Sequence, residues 1–404
     1  MNDAQLLTKE PHSPGRLILP SLVLSYFATM TPTLLVGLLL LDMAESFGHS
    51  VSMMGQIRTA SSLVAALSAL AMGILNVRFN HKSLLMTGLL FAILSITGSA
   101  FASNFSMIFI TYALFGIGLA LIVPMIFTLV GEHFSLDQRA RAIGWLLTGV
   151  TLAVSIGPPI IGAIAEIRSW RWAFLGYALP LFLLSLIMVM KGVPSFSIQN
   201  KHPSGSTKGY WDGIKEVISN HSAMACLMGR TFQSAAVMAV LLYGATFYRK
   251  HFGIPLGYTT LIFTVSAGLA ALGAQISGRF LVNRIGRKPV TVIMAFFYGV
   301  FIISFLNMPH PWLAIMIQWF AGFSSGIAYT ASSSLTMEQV PRFRGSMMSI
   351  DMAATEGGGA LGAGVGGLAL LLWGFGGVGL ALGSMSIVAS LLYLLLVSDP
   401  ANTK

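Results

Sequence analysis

The chain has 404 residues, of which 55% are hydrophobic and 9% are charged, whereas an average soluble domain carries roughly 25% charged residues. This composition excludes an ordinary soluble domain and indicates a protein that crosses a membrane several times. The formal net charge is +10, but the basic residues lie in short turns between apolar segments. This placement argues against a nucleic-acid-binding surface.

Long apolar segments recur along the whole chain. Crossing the hydrocarbon core of a bilayer takes about 20 apolar residues in a helix. Twelve segments meet this length, and they predict an all-α membrane protein with twelve transmembrane helices. Their approximate limits are 17–41, 52–76, 83–103, 106–130, 140–165, 170–192, 221–247, 256–281, 288–307, 311–336, 345–373 and 376–397.

The polar stretch 194–220 is the longest break between these segments and divides the chain into two halves. The predicted organisation is a cytoplasmic tail at 1–16, a six-helix bundle at 17–192, a cytoplasmic linker at 193–220, a second six-helix bundle at 221–397 and a cytoplasmic tail at 398–404. The start of the chain is polar and has no cleavage site, which indicates a tail rather than a signal peptide. Within the linker, apolar residues at helical spacing predict a short amphipathic helix on the membrane surface; they are Tyr210, Trp211, Ile214, Val217 and Ile218.

The basic residues predict the orientation. With the N-terminus in the cytoplasm, seventeen of the 23 Lys and Arg residues fall on the cytoplasmic side. The remaining six are Arg58, Arg168, Arg171, Arg230, Arg249 and Lys250. This asymmetry follows the positive-inside rule. It predicts a cell-membrane protein with both termini in the cytoplasm.

A pattern in the first half of the chain recurs in the second half. The charged turn that follows Glu132 leads into the fifth apolar segment, and the charged turn that follows Glu338 leads into the eleventh. The turns at 73–82 and 278–288 form a second matching pair. Two pseudo-symmetric halves are therefore predicted, with 141–164 and 344–368 as equivalent helices.

The fifth apolar segment is interrupted by glycine and proline. Pro158 and Pro159 remove backbone donors, and a bilayer tolerates this only where other protein segments or a cavity satisfy the freed carbonyl groups. The kink is therefore predicted to face protein rather than lipid. The spacing of Gly149, Gly157, Pro158 and Gly162 resembles the fifth-helix motif of the major facilitator superfamily, and in particular that of its twelve-helix drug/proton antiporter branch.

This resemblance implies both a fold and a mechanism. Members of the family have two pseudo-symmetric six-helix bundles around a central cavity, and they work by alternating access. For this chain the resemblance implies a monomeric secondary transporter that uses protons and needs no cofactor.

The turns after the second and eighth segments match, with gaps, the family's cytoplasmic loop signature, which locks the two bundles together. The first copy keeps Gly73, Arg78 and Lys82 and has His81 in place of the second basic residue, and the second copy keeps Arg284, Gly286, Arg287 and Lys288. Asn80 replaces the turn glycine of the first copy, and Asn tolerates the left-handed conformation that such a turn needs.

Both copies of the signature lack the expected acid, because Val77 and Asn283 stand at those positions. We expect Glu132 to take over this role by pairing with Arg78 or His81. Glu338 is expected to pair with Arg287 in the same way. The alternative is that these charges only anchor the loops in the cytoplasm.

Ionisable side chains inside the membrane are candidates for function, because each costs roughly 2.5–3.5 kcal/mol at a helix centre. Arg58, Arg230 and Glu356 lie within the predicted membrane segments. Glu356 is expected roughly 15 Å from the cytoplasmic end of its helix, near the midplane. Burial disfavours the charged form of a carboxyl group, so Glu356 is the first candidate for proton coupling. Asp351 is the second and is expected nearer the membrane surface.

Two arginines compete as the partner of Glu356. Arg58, on the second helix, would reach it across the seam between the halves. Arg230 lies in the same half and is preferred, because that pair need not separate during transport. Arg230 is also a candidate for binding an anionic substrate. A purely structural ion pair is the alternative role for Glu356.

The eleventh segment carries Gly358, Gly362 and Gly366 at four-residue spacing. Small residues at this spacing let helices approach closely. The stripe indicates tight packing within a bundle, a surface over which the halves rock, or both.

In the family, helices one, four, seven and ten line the central cavity. On this chain these helices offer Tyr26, Tyr112, Gln233, Tyr243, Gln318, Trp319 and Tyr329. A wall rich in aromatic and methionine side chains suits lipophilic or amphipathic cargo, although packing is the simpler explanation for any one of them. Tyr112 stands four residues before Gly116, where many antiporters have an arginine, and this argues against the usual proton route through the fourth helix.

Several classes of chemistry are not predicted. The eight histidines lie in loops or at helix ends with no pair at metal-ligand spacing, and Cys226 is the only cysteine. No metal site or disulfide framework is therefore expected. The sequence has no phosphate-binding P-loop, which argues against a transporter driven by ATP. It also lacks a clustered set of nucleophile and base, so an enzyme is not predicted.

The predicted function is secondary active transport of a small molecule, with proton-coupled efflux of lipophilic or amphipathic compounds as the first choice. The alternative within this class is uptake or export of a native metabolite such as an organic anion or a sugar, which Arg230 favours. The alternative from another class is a non-transporting membrane sensor. The predicted partners are the small-molecule substrate, protons and the lipid bilayer, with no nucleic acid.

Overall fold

A computed structural model of the chain describes residue 15 and residues 17–194 and 207–399. The side chains of residues 72–74, 76–78, 136, 137, 140, 207–211, 344 and 345 lie outside this description. The predicted tail at 1–16 lies outside it apart from residue 15, as do residues 195–206 of the linker and residues 400–404 of the C-terminal tail.

The described residues form long helices joined by short turns. The helices are α1 (Ile18–Phe47), α2 (Val51–Arg78), α3 (His81–Ala100), α4 (Phe105–His133), α5 (Leu136–Ile167), α6 (Trp170–Gly192), α7 (His221–Phe252), α8 (Leu256–Ile285), α9 (Arg287–Leu306), α10 (Pro311–Met337), α11 (344–373) and α12 (375–395). Gly374, with φ of 66°, breaks the helical conformation between α11 and α12. A short π-helical segment interrupts α6 at Phe174–Ala178, α7 at Ala239–Gly244 and α8 at Ser277–Leu281.

Within the described residues, nine helices are long and apolar enough to cross a membrane by length and composition. One of them, Ser346–Leu395, contains the break at Gly374, whereas α2 and α10 fall outside this set. An all-helical membrane fold is therefore confirmed, and the count of twelve crossings stays a prediction.

Polar side chains fix where several helices begin. The side chains of Ser50, Asn104 and Asn220 accept hydrogen bonds from first-turn amides of α2, α4 and α7, which satisfies donors that a helix start leaves open. Asn80 does the same for α3, because its side chain accepts from the amide of Lys82. The prediction that Asn80 adopts a left-handed turn is wrong: its φ is −69° and ψ is 130°, the extended conformation that a helix cap needs. Gly286 does have positive φ, at 97°.

The contacts between helices follow the sequence repeat. Helix α5 packs against α1 and α8, and α11 packs against α7 and α2. The repeat makes α1 equivalent to α7, α2 to α8 and α5 to α11. Under this equivalence, the contacts of α5 with α1 and α8 become the contacts of α11 with α7 and α2. The equivalence of 141–164 and 344–368 is a prediction that this exchange supports.

The kink of α5 faces protein, as predicted. Gly157 and Pro158 are both buried. A methyl group built on Gly149 would lie 2.9 Å from a methyl carbon of Val23 in α1, and one on Gly162 would lie 2.8 Å from the methyl carbon of Thr260 in α8. The motif glycines therefore let α5 approach a helix of each half of the chain.

The glycines of α11 make two contact surfaces. A methyl group built on Gly358 or Gly362 would lie 2.2 Å from a backbone carbonyl oxygen of α7, far inside van der Waals contact. On the opposite side, a methyl group on Gly359 would lie 3.1 Å from the hydroxyl of Ser62 in α2. The predicted close approach is confirmed, and it occurs toward both halves of the chain.

The predicted linker helix is present at Thr207–Ser219. Its Val217 is fully buried and belongs to an apolar cluster with Leu227 of α7 and Met347 of α11, while Ile218 is exposed. This face therefore packs on the second half of the chain and not only on the membrane surface. The side chains of Tyr210 and Trp211 lie outside the described residues.

We predict that Gly358→Ala lowers the free energy of unfolding by about 1–3 kcal/mol, because the new methyl group meets a rigid backbone carbonyl. Gly357→Ala is the matched control, since its added methyl group would have no atom of a neighbouring helix within 4 Å. Melting of the purified protein in detergent measures both. Equal melting temperatures for the two variants would contradict the tight α7–α11 contact.

Candidate functional site

Arg58 and Glu356 form an ion pair across the seam between α2 and α11. The Nη2 atom of Arg58 lies 3.6 Å from Oε2 of Glu356, and the hydroxyl of Ser62 donates a 3.1 Å hydrogen bond to the same carboxylate oxygen. Arg58 is only 6% exposed. The pair across the seam is thus confirmed, and the preferred partner for Glu356, Arg230, is wrong.

The guanidinium group of Arg58 is incompletely paired. Its Nε and Nη1 atoms are buried and have no hydrogen-bond partner among the described residues. A guanidinium group keeps its charge at any physiological pH. Arg58 therefore brings a permanent charge and open donors to the seam.

Tyr112 of α4 lies within electrostatic reach of both Arg58 and Glu356. Its hydroxyl donates a 3.0 Å hydrogen bond to the carbonyl of Pro32 in α1. One turn further along α4, a methyl group on Gly116 would lie 2.1 Å from the carbonyl oxygen of Ser61, so α4 and α2 are in backbone contact here. The sequence places no arginine at position 112, and the structure brings Arg58 to this place from the neighbouring helix. The sequence signal for the close approach of α4 and α2 is the presence of small residues on both helices, Gly116 on α4 and Ser61 and Ala65 on α2.

Arg230 and Asp351 form a second buried ion pair, between α7 and α11. The Nε atom of Arg230 lies 3.1 Å from Oδ1 of Asp351, and Nη1 donates a 3.1 Å hydrogen bond to Ser332 of α10. The guanidinium carbon lies 4.7 Å from the centre of the Tyr329 ring. Asp351 is 4% exposed, and its depth in the membrane relative to Glu356 stays a prediction.

The two carboxylates of α11 differ because of helix geometry. Asp351 and Glu356 are five positions apart, so their side chains leave the helix in directions that differ by roughly 140° around its axis. Asp351 shares the face of Gly358, which packs on α7, whereas Glu356 faces α2. This explains why Arg230 pairs with Asp351 instead.

The cytoplasmic loop residues are partly brought together. Nδ1 of His81 contacts Oε1 of Glu132, which confirms one of the two predicted partners of Glu132. The Lys82 ammonium group donates a 2.9 Å hydrogen bond to the carbonyl of Met190 in α6. The surroundings of Gly73 and the side chain of Arg78 lie outside the described part of the chain.

In the second copy of the loop, Gly286 adopts the positive φ that its place in the turn requires. Arg284 is exposed, while Arg287 and Lys288 are half-buried at the start of α9. Glu338 directly follows α10. Its pairing with Arg287 stays a prediction.

The aromatic residues among the cavity candidates differ in whether their polar groups are used in helix packing. Tyr243 and Trp319 are used in helix packing: the Tyr243 hydroxyl donates to the carbonyl of Ala363, and the Trp319 indole donates to that of Ile262. Tyr26 and Tyr329 lie close enough to interact electrostatically, and Tyr329 is 54% exposed.

Two glutamines in the candidate cavity wall remain open to a partner. Gln233 of α7 and Gln318 of α10 are buried. The amide oxygen of Gln233 and both amide atoms of Gln318 lack a hydrogen-bond partner among the described residues. Buried polar atoms are normally paired, so these two side chains depart from the usual pattern.

Comparison with known proteins decides the family. The model described as Major Facilitator Superfamily matches residues 21–306 and 245–404. The chain belongs to this superfamily. Membership of this family indicates a transporter and not an enzyme.

Three curated relatives show the range of sequence similarity. Multidrug resistance protein 3 of Bacillus subtilis is 22% identical over 384 residues, which cover 78% of this chain and 74% of that protein. The uncharacterized MFS-type transporter YwfA of B. subtilis is 25% identical over 166 residues, 41% of this chain and 40% of that protein. Lincomycin resistance protein LmrB of Listeria monocytogenes is 25% identical over 184 residues, 46% of this chain and 39% of that protein. The matches to YwfA and LmrB thus span about two fifths of each relative.

Two solved structures share the fold. A bacterial homologue of the human lysosomal transporter spinster, in an inward-facing and unoccupied conformation, has a TM-score of 0.78 at 16% identity and covers 94% of this chain and 96% of its own. A D-xylose-proton symporter has a TM-score of 0.80 at 16% identity, with coverage of 95% and 98%. Both likenesses concern the fold alone.

We predict that Asp351→Asn destabilises the protein by about 3–5 kcal/mol, because it leaves the buried Arg230 without a counter-charge. Asp212→Asn, on the exposed side of the linker helix, is the control and should melt like the parent. The double variant Arg230→Met with Asp351→Leu should recover most of the loss, since an apolar pair of similar size replaces the ions. A wild-type melting temperature for Asp351→Asn would show that this pair contributes little.

Proposed function

We propose that this protein is a proton-coupled secondary transporter that moves lipophilic or amphipathic small molecules out of the cell by alternating access. The observation that carries the proposal is the ion pair of Arg58 and Glu356, which joins α2 of the first half of the chain to α11 of the second. A titratable group at a contact between the two moving parts is where protonation can change their relative stability.

The architecture in this proposal is twelve membrane crossings in two six-helix bundles, 17–192 and 221–397, joined by the linker at 193–220. The exchange of helix contacts between the halves supports it. Both termini are proposed to be cytoplasmic in the cell membrane, because most Lys and Arg residues lie at that end of the helices. A monomer is sufficient for this mechanism.

The coupling step follows from the charges at the seam. With Glu356 ionised, the pair with Arg58 is neutral overall and holds α2 against α11. Protonation of Glu356 leaves a buried guanidinium group uncompensated, and breaking a buried pair in this way costs about 3–5 kcal/mol. A difference of this size between two conformations shifts their populations by two or more powers of ten. The proton therefore biases the transition between the inward- and outward-open states.

The cargo class rests on the side chains between the halves. Tyr26 and Tyr329 offer aromatic surface. The amide oxygen of Gln233 and both amide atoms of Gln318 offer polar atoms that have no hydrogen-bond partner among the described residues. A site with mostly apolar walls and a few polar groups fits amphipathic molecules. Two relatives, a multidrug resistance protein and a lincomycin resistance protein, favour export as the direction.

A second candidate function is transport of an organic anion. Its support is that Nε and Nη1 of Arg58 are buried and have no hydrogen-bond partner in the part of the chain that the structure describes. A carboxylate or another oxyanion is the ligand that a guanidinium group binds best. Arg230, the earlier candidate for this role, already donates hydrogen bonds to Asp351 through Nε and to Ser332 through Nη1.

We predict that Glu356→Gln abolishes transport driven by a pH gradient, while the protein folds and still binds cargo. The amide is isosteric with the carboxyl group but cannot exchange a proton. The measurement uses purified protein in liposomes with an imposed pH gradient and a panel of lipophilic cations, organic acids and sugars. Glu45→Gln, an exposed carboxylate of α1, is the matched control and should transport like the parent.

The panel also separates the two candidate functions. Flux of lipophilic cations supports the first, and flux of organic acids that is lost in Arg58→Gln supports the second. Wild-type pH dependence in the Glu356→Gln protein would remove this residue from the coupling mechanism. Failure of every compound class would count against transport itself.

A further inference from the structure

A groove in the first half of the chain has no part in the proposed transport cycle. It runs between α2 and α3, with α4 as its floor, and has a volume of about 390 Å³. Ligand pockets in proteins are typically about 300–1,000 Å³, so the groove can hold a small molecule or one part of a larger one. Its walls are mainly apolar, and they include Leu75 and Phe79 of α2, Thr87 and Phe91 of α3, and Ile117 and Leu121 of α4.

Two glycines of α4 account for the groove. A methyl group on Gly116 would lie 2.1 Å from the carbonyl oxygen of Ser61 in α2, and one on Gly118 would lie 2.9 Å from that of Gly88 in α3. Two positions along a helix differ by roughly 200° around its axis, so α2 and α3 are held close to α4 on different sides of it. Ile117 lies between the two glycines and lines the space that remains between α2 and α3.

The length of the groove matches one leaflet of a bilayer. Ala71 and Thr87 lie along it and are exposed. Since α3 packs on α4 and α6 of its own half, the groove beside it opens to lipid and not toward the second half. Ser68 and Phe79 line it on α2, and eleven positions of a helix span roughly 16 Å. One leaflet supplies about 15 Å of the hydrocarbon core, so one acyl chain can occupy the groove from end to end.

The end of the groove at the α2–α3 turn is positively charged. Arg78 ends α2 and Lys82 lies in the first turn of α3, whereas residues 68–91 include no Asp or Glu. Glu132 is the one acid in the sequence of α4, and it contacts His81. An ammonium group has three N–H donors, and that of Lys82 gives one to a carbonyl group of α6, which leaves capacity for another oxygen. Basic residues at a membrane surface attract anionic lipids.

We propose that this groove binds one acyl chain of an anionic phospholipid, and that the phosphate of that lipid lies at Lys82. The lipid comes from the leaflet on the side of the α2–α3 turn, which the proposed orientation makes the cytoplasmic leaflet. An acyl chain in the groove packs against both α2 and α3 and stabilises the first half against unfolding. The site is separate from Arg58 and Glu356, and it does not depend on the cargo, the direction or the coupling of transport.

The test counts the lipid that stays with the purified protein. Phosphatidylglycerol, which is anionic, and phosphatidylcholine, which is neutral overall, are added in equal amounts with the same acyl chains, and native mass spectrometry resolves the adducts. The parent is expected to carry one lipid and to favour phosphatidylglycerol about fivefold, the effect of about one basic side chain on an anionic lipid. Glycerol phosphate has the headgroup charge without an acyl chain and should not bind.

Variants separate the apolar groove from its charged end. Ala71→Phe and Thr87→Phe each place a ring in the groove, from opposite walls, and each should remove most of the bound lipid. Both positions are exposed, so the helices need not move to admit the ring. Lys82→Gln leaves the groove open, and this variant should still bind a phospholipid but lose the preference for phosphatidylglycerol.

Two matched controls come from other parts of the chain. The hydroxyl of Thr151 in α5, like that of Thr87, donates to the carbonyl four residues before it, and Thr151 is exposed and does not line the groove. Thr151→Phe should therefore leave the bound lipid unchanged. Lys215→Gln removes an exposed charge of the linker helix and should keep the preference for phosphatidylglycerol.

Several results would overturn the proposal. Equal loss of lipid in Thr151→Phe and Thr87→Phe would place the lipid elsewhere on the protein. Equal binding of the two phospholipids by the parent, or an unchanged preference in Lys82→Gln, would remove the headgroup contact. Binding of glycerol phosphate would show an anion site that does not need the groove. Because no transport enters this measurement, its outcome is independent of the Glu356→Gln experiment, which tests proton coupling.

Discussion

Close backbone packing of α11 against helices of both halves is the constraint on which the arrangement depends. Glycine on one face admits α7, and glycine on the opposite face admits α2. Because the helix axes come this close, short acidic side chains reach the arginines of their neighbours. Asp351 can then neutralise Arg230 inside one half while Glu356 contacts Arg58 in the other. One helix thus carries two ion pairs on two of its faces, one within its own half of the chain and one across the seam.

Much of the fold could be predicted from sequence because it depends on local signals. Apolar length gave the positions of the helices, and the buried Gly157 and Pro158 follow from the need of a proline kink for protein neighbours. Gly286 shows the same local logic, since its place in the turn requires positive φ. Asn80 shows the limit: Asn suits both a left-handed turn and a helix cap, and its own sequence position does not decide between them.

The site was harder to predict because it depends on which helix faces which. The cost of an ionisable side chain in lipid indicates that Glu356 faces protein, but not whether α2 or α7 lies opposite. The preference for Arg230 ignored the rotation between Asp351 and Glu356. Long-range contacts such as Asp42 with Arg249 leave no local pattern at all, because 207 residues separate the partners. Tyr112 is similar: its neighbour Arg58 follows from the backbone contact at Gly116 and not from any spacing in α4.

The π-helical segment of α7, Ala239–Gly244, has a consequence for how the ends of this helix are related. A π turn takes up one more residue than an α turn, and each residue of an α-helix corresponds to about 100° of rotation. The segment lies between Arg230 and Arg249, so it sets the angular register of Arg249 relative to Arg230. One residue more or fewer in this stretch would therefore turn Arg249 away from its ion-pair partner Asp42 in α1 and leave Arg230 facing Asp351.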